Sequence, residues 1–550
     1  MKKTFFSAFS KAVTALTAAA VLLSGCGNAQ ENAENNAAKY EYNHELNVID
    51  DNYRNYYEIF VYSFCDSDGD GIGDLNGVTS KLDYIADMGF NGIWLMPIMP
   101  SPSYHKYNVK DYYDIDPQYG TMADFESLVS ECDKRGIKLI IDLVMNHTSK
   151  EQEWFASAAQ SLRQQPCGAA KDEDCLSDPL CPDHNPYVDY YFFTDEKPVN
   201  GSYYQTGSHY FEAVFSDDMP ELNLDNPNVR KEFEKIAKFW LDKGVGGFRL
   251  DAVKEYFSGS PEKNIKVLSW FMDYCKSVDP DCYVVGEVWE SFTAYTKYYQ
   301  SGIDSVFGFT MAQEDGKIAK TMNASGADNS VKSFAQAMTI VETKLASFSD
   351  TAIDAPFIGN HDTNRAAGIL RYDLTKMKAA AGLLLTMSGS PFVYYGDEIG
   401  LSGSGRDENK RAPMIWDESG SGLTYGPPNM ERQENRFESV EAQLADENSL
   451  LNYYKRALRI RNENPCIARG KTEVINITGQ DIAAVRRTFD DDSIVIVYNY
   501  SDEEKSISDE LLDLENSQIR GYLTVDSEQE VTLGESLVMP PYSIAFLVAK

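Results

Sequence analysis

The chain has little positive charge for its size. Its 550 residues contain 50 Lys and Arg but 85 Asp and Glu, which gives a formal net charge of −35 at pH 7. Nucleic-acid binding depends on a basic face that neutralises phosphates, so this balance argues against a nucleic-acid partner. It places no constraint on a neutral substrate.

Two kinds of segment are also missing. Beyond the N-terminal region, no apolar run is long enough to span a bilayer as a helix. No glycine-rich phosphate-binding turn follows an early predicted strand, which argues against an open doubly wound sheet. With 43% hydrophobic and 25% charged residues, the composition is that of a globular protein, and the length predicts two to four domains or one large barrel with additions.

The N-terminus has the pattern of an export signal. Two lysines precede an apolar run over residues 12–23, and the residues LSGC follow, ending at Cys26. That ending resembles a bacterial lipobox; the alternative is a plain secretory signal. We therefore expect a lipoprotein signal peptide over residues 1–25, a flexible tether over residues 26–48, lipidation of Cys26, and export to the bacterial cell surface or membrane.

The chain has nine cysteines. Cys132, Cys275 and Cys282 lie in predicted helices or at the start of a predicted strand, where buried thiols are expected. In an oxidising compartment we expect one disulfide within a further trio, without assigning the pair. This trio lies in a polar stretch at spacings unlike those of zinc sites and consists of Cys167, Cys175 and Cys181.

From residue 56 onward, short apolar runs alternate with longer amphipathic segments. Continuously apolar runs are typical of parallel strands covered on both faces. Eight such strands alternating with helices predict a (β/α)8 TIM barrel. The predicted strands are Tyr57–Phe64, Gly92–Ile98, Lys138–Met145, Gly247–Ala252, Cys282–Val288, Ser305–Thr310, Ala355–Asn360 and Pro391–Tyr395. The predicted helices are Ser80–Met88, Met122–Arg135, Val229–Lys243, Ile265–Ser277, Val331–Ser347, Thr375–Met387 and Ser449–Asn462.

Two stretches break this alternation. About 65 residues between the third strand and the next helix are too many for a bare loop, so we predict a small subdomain there. After about residue 466, short alternating strands predict an all-β sandwich. The predicted organisation is a barrel over residues 49–147 and 217–465, an insert over residues 148–216, and a C-terminal β-sandwich over residues 466–550.

Polar residues cluster where the predicted strands end, which is the face of a barrel that carries chemistry. Carboxylates that only cap the following helices would explain one such residue, but they explain three poorly. The three carboxylates are Asp251, Glu287 and Asp362, and the residues close to them in the same segments are Arg249, His147 and His361.

This residue set suits cleavage of a glycosidic bond. One carboxylate can attack the anomeric carbon while a second protonates the leaving oxygen, and no serine or cysteine is paired with a base. Arg249 lies two residues before Asp251 on the same strand face and would keep that carboxylate ionised. Partial burial of Glu287 near other acids would raise its pKa, as a general acid requires.

The segments that carry these residues are DLVMNH (142–147), GGFRLDAVKE (246–255), VVGEVW (284–289) and FIGNHDTNR (357–365). In order and spacing they resemble the four signature regions of the α-amylase family, glycoside hydrolase family 13. The resemblance runs from about residue 43 to the C-terminus, and it implies that the insert and the tail are the family's domains B and C. It implies that Asp251 is the nucleophile, Glu287 the acid/base and Asp362 the carboxylate that binds and distorts the sugar, with retention of configuration. It also implies that His147, Arg249 and His361 surround that sugar.

Other segments bear on the substrate. Residues 219–223 (MPELN) resemble the MPDLN form of intermediate bacterial amylases more than the QPDLN form of oligo-1,6-glucosidases. Ala252 resembles α-1,4-acting members. Tyr107 matches the ring that stacks on the sugar, and Lys254 matches a residue on the leaving-group side, although Glu255 replaces the usual histidine. Asn108 replaces an aspartate common in exo-acting relatives, which favours endo action.

The segment 66–74 (DSDGDGIGD) resembles the opening of an EF-hand loop, with acidic oxygens at alternate positions and glycines that allow a sharp turn. The twelfth position is Gly77 and supplies no bidentate ligand, which argues against a true EF-hand. A similar loop binds calcium in oligoglucosidase-like and intermediate members of the family; the alternative is a solvated acidic turn. The resemblance implies a structural Ca²⁺ held by Asp66, Asp68, Asp70, Asp74 and the Ile72 carbonyl.

The sequence therefore predicts a retaining, endo-acting α-amylase that hydrolyses α-1,4 bonds of starch, glycogen and maltodextrins. The alternatives on the same fold are an α-glucosidase, a neopullulanase-like hydrolase or a transglycosylase. A glycan-binding protein without activity is disfavoured because no member of the carboxylate triad is missing. We expect a monomer that meets the membrane only through its lipid anchor.

Overall fold

The computed structural model describes residues 49–168, 170, 175, 180–431, 433–479 and 481–550. The predicted signal peptide (1–25), the tether (26–48) and the lipidation site at Cys26 lie outside these residues and stay predictions. Across the described ranges, no helix combines the length and apolar character needed to cross a bilayer.

Eight parallel strands of the described chain form one sheet, in the order β10-β9-β8-β7-β3-β2-β1-β11. Its strands are β1 (Tyr56–Ile59), β2 (Gly92–Leu95), β3 (Lys138–Leu143), β7 (Gly247–Leu250), β8 (Tyr283–Gly286), β9 (Ser305–Phe307), β10 (Ile353–Ala355) and β11 (Phe392–Tyr394). Three further strands, β4 (Phe193–Thr194), β5 (Tyr203–Thr206) and β6 (His209–Glu212), belong to the insert.

The sheet closes between its first and last members in this order. The amide of Ser390 donates to the Asp354 carbonyl at 2.8 Å, and the amide of Phe392 donates to the Pro356 carbonyl at 2.9 Å. Closure removes both sheet edges, so the predicted TIM barrel is confirmed.

Aromatic side chains fill the barrel. Tyr56 stacks on Tyr283 and on Phe392, with ring centroids 5.2 Å and 4.6 Å apart. Trp94 packs against Phe307 at 5.5 Å and is fully buried. Rings of this size exclude water from the barrel, so polar groups on its upper rim face a low-dielectric floor.

Helices cover the outside of the barrel, as its doubly buried strands require. The helix after β2 begins with a capping box, in which Thr121 and Asp124 bond each other's backbone amides. The helices, including short turns, are α1 (Val61–Phe64), α2 (Leu75–Ser80), α3 (Leu82–Met88), α4 (Met122–Asp133), α5 (Glu153–Ser161), α6 (Pro227–Asp242), α7 (Pro261–Val278), α8 (Phe292–Tyr295), α9 (Lys317–Asn323), α10 (Val331–Ala346), α11 (Ala366–Ile369), α12 (Leu374–Leu385), α13 (Asp407–Lys410), α14 (Val440–Ala445), α15 (Leu450–Glu463) and α16 (Cys466–Arg469).

The insert after β3 contains α5, a 3-10 helix at Pro186–Tyr190 and the antiparallel sheet β4-β6-β5. Antiparallel bridges from His147 and from Tyr191 to the segment that leaves the insert, at Glu221 and Leu222, hold the two ends of the insert together. The disulfide expected within its cysteine trio is wrong for this structure, in which no disulfide joins the described cysteines. The Cys175 and Cys181 sulfurs are 3.6 Å apart, against about 2.05 Å in a disulfide.

The C-terminal tail forms two antiparallel sheets, β12-β13-β14-β19-β16 and β15-β18-β17. They enclose an apolar cluster that includes Val497, Leu537 and Leu547. The strands are β12 (Lys471–Ile475), β13 (Ile482–Phe489), β14 (Asp492–Asn499), β15 (Lys505–Ile507), β16 (Ser517–Leu523), β17 (Thr532–Leu533), β18 (Leu537–Met539) and β19 (Ser543–Ala549).

All eight barrel strands are shorter than predicted, and two of them show why. β1 ends at Ile59 because the apolar residues that follow turn into α1. The seventh barrel strand, β10, ends at Ala355, although the sequence predicted a strand over Ala355–Asn360. Pro356 has no backbone N–H for the ladder, so the apolar run that continues beyond it leaves the sheet as a loop.

Candidate active site

Arg249 is the central side chain of the upper rim. It lies on β7 with a side-chain exposure of 0%, and its Nη1 donates to the Asp251 carboxylate at 2.6 Å. The same nitrogen contacts both oxygens of Asp142 at 3.1 Å and 2.9 Å, and Nη2 donates to Glu287 at 2.8 Å. One buried cation therefore binds three carboxylates.

Strand register produces this cluster. Arg249 lies on β7 and Asp251 directly follows the strand, so the two side chains, two residues apart, lie on the same side of the chain. Asp142 of β3 lies directly opposite Arg249 in the parallel pairing. On the other side Arg249 pairs with Val285 of β8, so Glu287, two residues later, reaches the level of Asp251. Barrel geometry thus brings residues from three strands to one guanidinium group.

Glu287 is held in a desolvated position. Burial raises its pKa above the ordinary value; Arg249 opposes this, whereas Asp251 and Asp362 add to it. Its Oε2 also accepts the Ala252 N–H at 3.1 Å. Ala252 has φ 48°, in the left-handed region that non-glycine residues rarely adopt. This backbone position aims the amide at Glu287.

Asp362 differs from Glu287 in that its cationic neighbours determine its pKa. Its side chain is 32% exposed, and its oxygens contact His361 Nε2 and Arg411 Nη2, both at 3.0 Å. Its burial acts to raise its pKa, but the two cationic partners outweigh that effect and lower the pKa well below the ordinary range. Asp362 therefore remains ionised where Glu287 retains a proton more readily.

His361 links the rim to the barrel interior. Its Nδ1 lies 2.6 Å from Glu58 Oε1, and its Nε2 lies 2.8 Å from the Tyr107 hydroxyl. Burial acts to lower its pKa, but Asp362 and Glu58 raise it to about 9. The charged imidazolium donates its Nδ1–H to Glu58 and directs its Nε2–H at the Tyr107 hydroxyl and the Asp362 carboxylate.

A cleft of about 800 Å³ opens above these groups. Arg249 and His361 lie beneath its floor, fully buried. The predicted site residues that line it are Tyr107, His147, Asp251, Lys254, Glu287 and Asp362.

Two of the lining residues, His147 and Lys254, carry polar side chains. His147 Nε2 is buried and has no hydrogen-bond partner in the described structure, and burial lowers the pKa of this histidine. Lys254 Nζ lies 3.5 Å from Glu255 and 3.7 Å from Glu290. Lys254 can contact a polar ligand such as a sugar hydroxyl from the cleft wall.

Several site residues were not assigned from the sequence. Glu58, a buried acid within the apolar β1, carried a usable signal because an unpaired charge is costly in such a strand. Arg411 follows β11 in a stretch with no periodicity, and nothing in the sequence indicated its contact with Asp362. The cleft lining also contains residues that the sequence left without a role, namely His105, Phe215, Trp289 and Asp407.

In the acidic loop after α1, three of the four aspartates predicted to bind calcium lie close together. Carboxylate oxygens of Asp66, Asp68 and Asp74 lie within 4.8 Å of one another. Asp70 is outside that group, and its Oδ1 accepts the Ile72 N–H at 2.7 Å. Oxygen ligands of this type suit a hard cation such as Ca²⁺. The donor set therefore fits the predicted ion at three of its four acidic residues.

The parallel barrel carries carboxylates at its strand ends, two of which contact the buried Arg249. Together these features define the class of (β/α)8 glycoside hydrolases. Family comparison agrees, since the model of the α-amylase catalytic domain matches residues 58–470. The chain belongs to the α-amylase family, glycoside hydrolase family 13.

Similar proteins within the family differ in their names. "Alpha-amylase 3" of Dictyoglomus thermophilum is 38% identical, over 89% of this chain and 91% of that protein. "Oligo-1,6-glucosidase" of Parageobacillus thermoglucosidasius is 30% identical, over 81% and 90%. Among solved structures, Eubacterium rectale Amy13B has a TM-score of 0.84 at 40% identity, over 93% of this chain and 98% of that one.

The His361 environment predicts a pH-dependent stability. The folded-state pKa of about 9 lies above the unfolded value of about 6.5, so the stabilisation, on the order of 3 kcal/mol, is complete below pH ~6.5 and lost as pH rises through ~9. Denaturant midpoints measured between pH 6 and pH 9.5 should fall for the wild type. His361→Asn should remove that slope, whereas His209→Asn in the insert should keep it. Equal slopes in wild type and His361→Asn would contradict this assignment.

Proposed function

We propose that the protein is a retaining, endo-acting α-amylase that hydrolyses internal α-1,4 bonds of starch, glycogen and maltodextrins. The observation that carries the proposal is the shared contact of Asp251 and Glu287 with the one guanidinium of Arg249. Two carboxylates on one guanidinium are close together, and short separation favours double displacement over inversion, which needs room for a water molecule.

In this mechanism Asp251 attacks the anomeric carbon. The Arg249 contact at 2.6 Å orients the carboxylate for attack. Glu287, whose pKa is raised by burial, donates a proton to the leaving glycosidic oxygen and then takes one from the water that hydrolyses the glycosyl-enzyme. The ionised Asp362 accepts hydrogen bonds from sugar hydroxyls and stabilises positive charge that develops on the ring.

Tyr107 and His147 complete the binding of that sugar. The Tyr107 hydroxyl is fixed by Asp142 at 3.1 Å and by His361, so its ring is held as a stacking surface. His147 lines the cleft beside the same sugar, and Lys254, on the same lining, is placed to contact the leaving portion of the chain.

Substitution of the two catalytic carboxylates should separate their roles. Asp251→Asn should lower kcat on maltoheptaose by about three orders of magnitude or more, with maltodextrin binding still measurable by calorimetry. Glu287→Gln should lower kcat by about 10²–10⁴-fold on the same substrate.

An activated aryl α-maltoside is the control for this experiment. Its leaving group needs little protonation, so it should restore much of the kcat/KM of Glu287→Gln, which reports formation of the glycosyl-enzyme, and none of that of Asp251→Asn. Equal losses of both variants on both substrates would contradict these assignments.

Three features favour endo action on α-1,4 bonds. Asn108 is buried, and its amide is engaged by Ser101 at 2.9 Å and by Asp218 at 3.2 Å, so it presents no free group to a chain end. Met219 lines the cleft, and Ala252 follows the nucleophile. The similarity to a protein named α-amylase over nine-tenths of its length supports the same reading.

The alternative is an α-glucosidase, a neopullulanase-like hydrolase or a transglycosylase, and relatives named oligo-1,6-glucosidase at 30% identity favour testing it. Product profiles on soluble starch, maltoheptaose, pullulan and isomaltose distinguish these activities. Endo action should lower starch viscosity early and release mixed maltooligosaccharides. Release of glucose alone from chain ends at constant viscosity, or rapid cleavage of isomaltose, would contradict the proposal.

We also propose that the loop over residues 66–74 binds a structural Ca²⁺ through Asp66, Asp68, Asp70, Asp74 and the Ile72 carbonyl. The three gathered carboxylates support this. The loop is tied to the rim, because the Gly73 amide donates to the Tyr62 carbonyl and the Tyr425 amide donates to the Gly71 carbonyl, both at 2.8 Å. A bound cation would therefore stabilise one wall of the barrel mouth without entering the chemistry.

Calcium should raise the melting temperature of chelator-treated protein. At ~100 times Kd the gain is about 2.7 kcal/mol, or several degrees for a chain of this size. Asp68→Asn, an isosteric change at an exposed position, should weaken this response by removing a ligand charge. Asp491→Asn, in an exposed turn of the tail, is the matched control and should respond as wild type. An unchanged response of Asp68→Asn would contradict the ligand assignment.

A further inference from the structure

Four potential soft-metal ligands converge in the insert, away from the carboxylates of the cleft. They are Cys167, Cys175, Cys181 and His184, and their ligand atoms all lie within 4.8 Å of one another. Seven residues separate Cys167 from Cys175 and five separate Cys175 from Cys181, so the cluster contains no CxxC pair. The chain path, and not a sequence motif, brings them together.

Three of the separations between these ligand atoms fit the edges of a tetrahedron around a metal ion. The Nδ1 atom of His184 lies 3.4 Å from the Cys167 sulfur and 3.4 Å from the Cys181 sulfur. The Cys175 and Cys181 sulfurs are 3.6 Å apart. Zn–S bonds of about 2.3 Å and Zn–N bonds of about 2.0–2.1 Å give tetrahedral edges of about 3.8 Å for S···S and about 3.5 Å for S···N.

A second observation concerns the orientation of the histidine. His184 Nε2 lies 2.9 Å from the Ala170 carbonyl oxygen, which can only accept a hydrogen bond. The proton of a neutral imidazole is therefore on Nε2, and the lone pair of Nδ1 points at the sulfurs. Metal-ligating histidines are held in this way by a backbone carbonyl or a carboxylate on the opposite nitrogen.

Hydrogen bonds hold the turn that carries Cys181 and His184. The His184 and Asn185 amides both donate to the Cys181 carbonyl, at 3.1 Å and 3.0 Å, so a tight turn sets Cys181 beside His184. The Asn185 side chain donates to the Ser157 carbonyl at 3.1 Å, and the Ser161 hydroxyl donates to the Leu180 carbonyl at 2.7 Å. These bonds attach the turn to α5.

We propose that Cys167, Cys175, Cys181 and His184 bind one Zn²⁺ ion as a structural site in the insert. Three thiolates and one imidazole are a donor set that selects zinc over the hard cations suited to the acidic loop. Four protein ligands leave no open position, so the ion would join Cys167 and Cys175 to the turn at Cys181 and His184 and would take no part in hydrolysis.

The test is the metal content of the full-length chain purified under reducing conditions with zinc present. We expect one zinc per chain by elemental mass spectrometry. Chelated protein titrated with Co²⁺ should develop thiolate-to-cobalt charge-transfer absorption and the visible bands of a tetrahedral site. Cys175→Ala, at a half-exposed position, and His184→Ala should each lose the bound zinc and shift or abolish the cobalt spectrum.

Two variants serve as controls. His209→Ala removes another histidine of the insert, whose Nε2 contacts Asp195 at 3.2 Å, and Cys466→Ala removes a buried thiol of the C-terminal region. Both should retain one zinc per chain. Absence of stoichiometric zinc in the wild type, retention of zinc by both cluster variants, or a disulfide within the trio in the reduced, zinc-supplied preparation would each overturn the proposal. Metal content is read independently of starch hydrolysis, so failure of the amylase assignment would not affect this result.

Discussion

The charge of Arg249 is the constraint on which the rest of the site depends. A guanidinium with no exposed surface is costly unless carboxylates and hydrogen bonds replace its hydration. Asp142, Asp251 and Glu287 supply that replacement from three neighbouring strands. Conversely, the position of Asp251 and Glu287 is set by the cation they share. The parallel register of β3, β7 and β8 is therefore at once a fold property and the geometry of the cleft.

Around this centre the surroundings give two carboxyl groups, Glu287 and Asp362, opposite protonation preferences. Burial raises the pKa of Glu287 despite its arginine contact, whereas His361 and Arg411 outweigh burial and lower the pKa of Asp362. The charge on His361 in turn depends on Glu58, deep in the barrel. An acid that retains its proton and an acid that does not can therefore coexist in one cleft, which is how a single site performs both proton transfer and charge stabilisation.

Sequence patterns predicted the barrel and much of the rim for physical reasons. Doubly buried strands are continuously apolar, so a polar residue at the end of such a run is conspicuous, as with Asp251 and Glu287. Strand ends were less certain where the apolar run continues past the sheet, as at Pro356. Arg411 and the cysteine–histidine cluster could not be predicted, because their contacts join segments with no periodicity and depend on the folded chain path.

Closure of the barrel also has a consequence for how the chain must be made. β1 pairs with β11, and Glu58 meets His361 across 303 positions of sequence. At translation rates of about 5–20 residues per second, the first strand waits roughly 15–60 s for the partner that buries its glutamate. During that interval the nascent chain exposes apolar strands of high contact order. A chain of this architecture can therefore complete its barrel only when nearly all of it has been synthesised, so that the first and last barrel strands are both present.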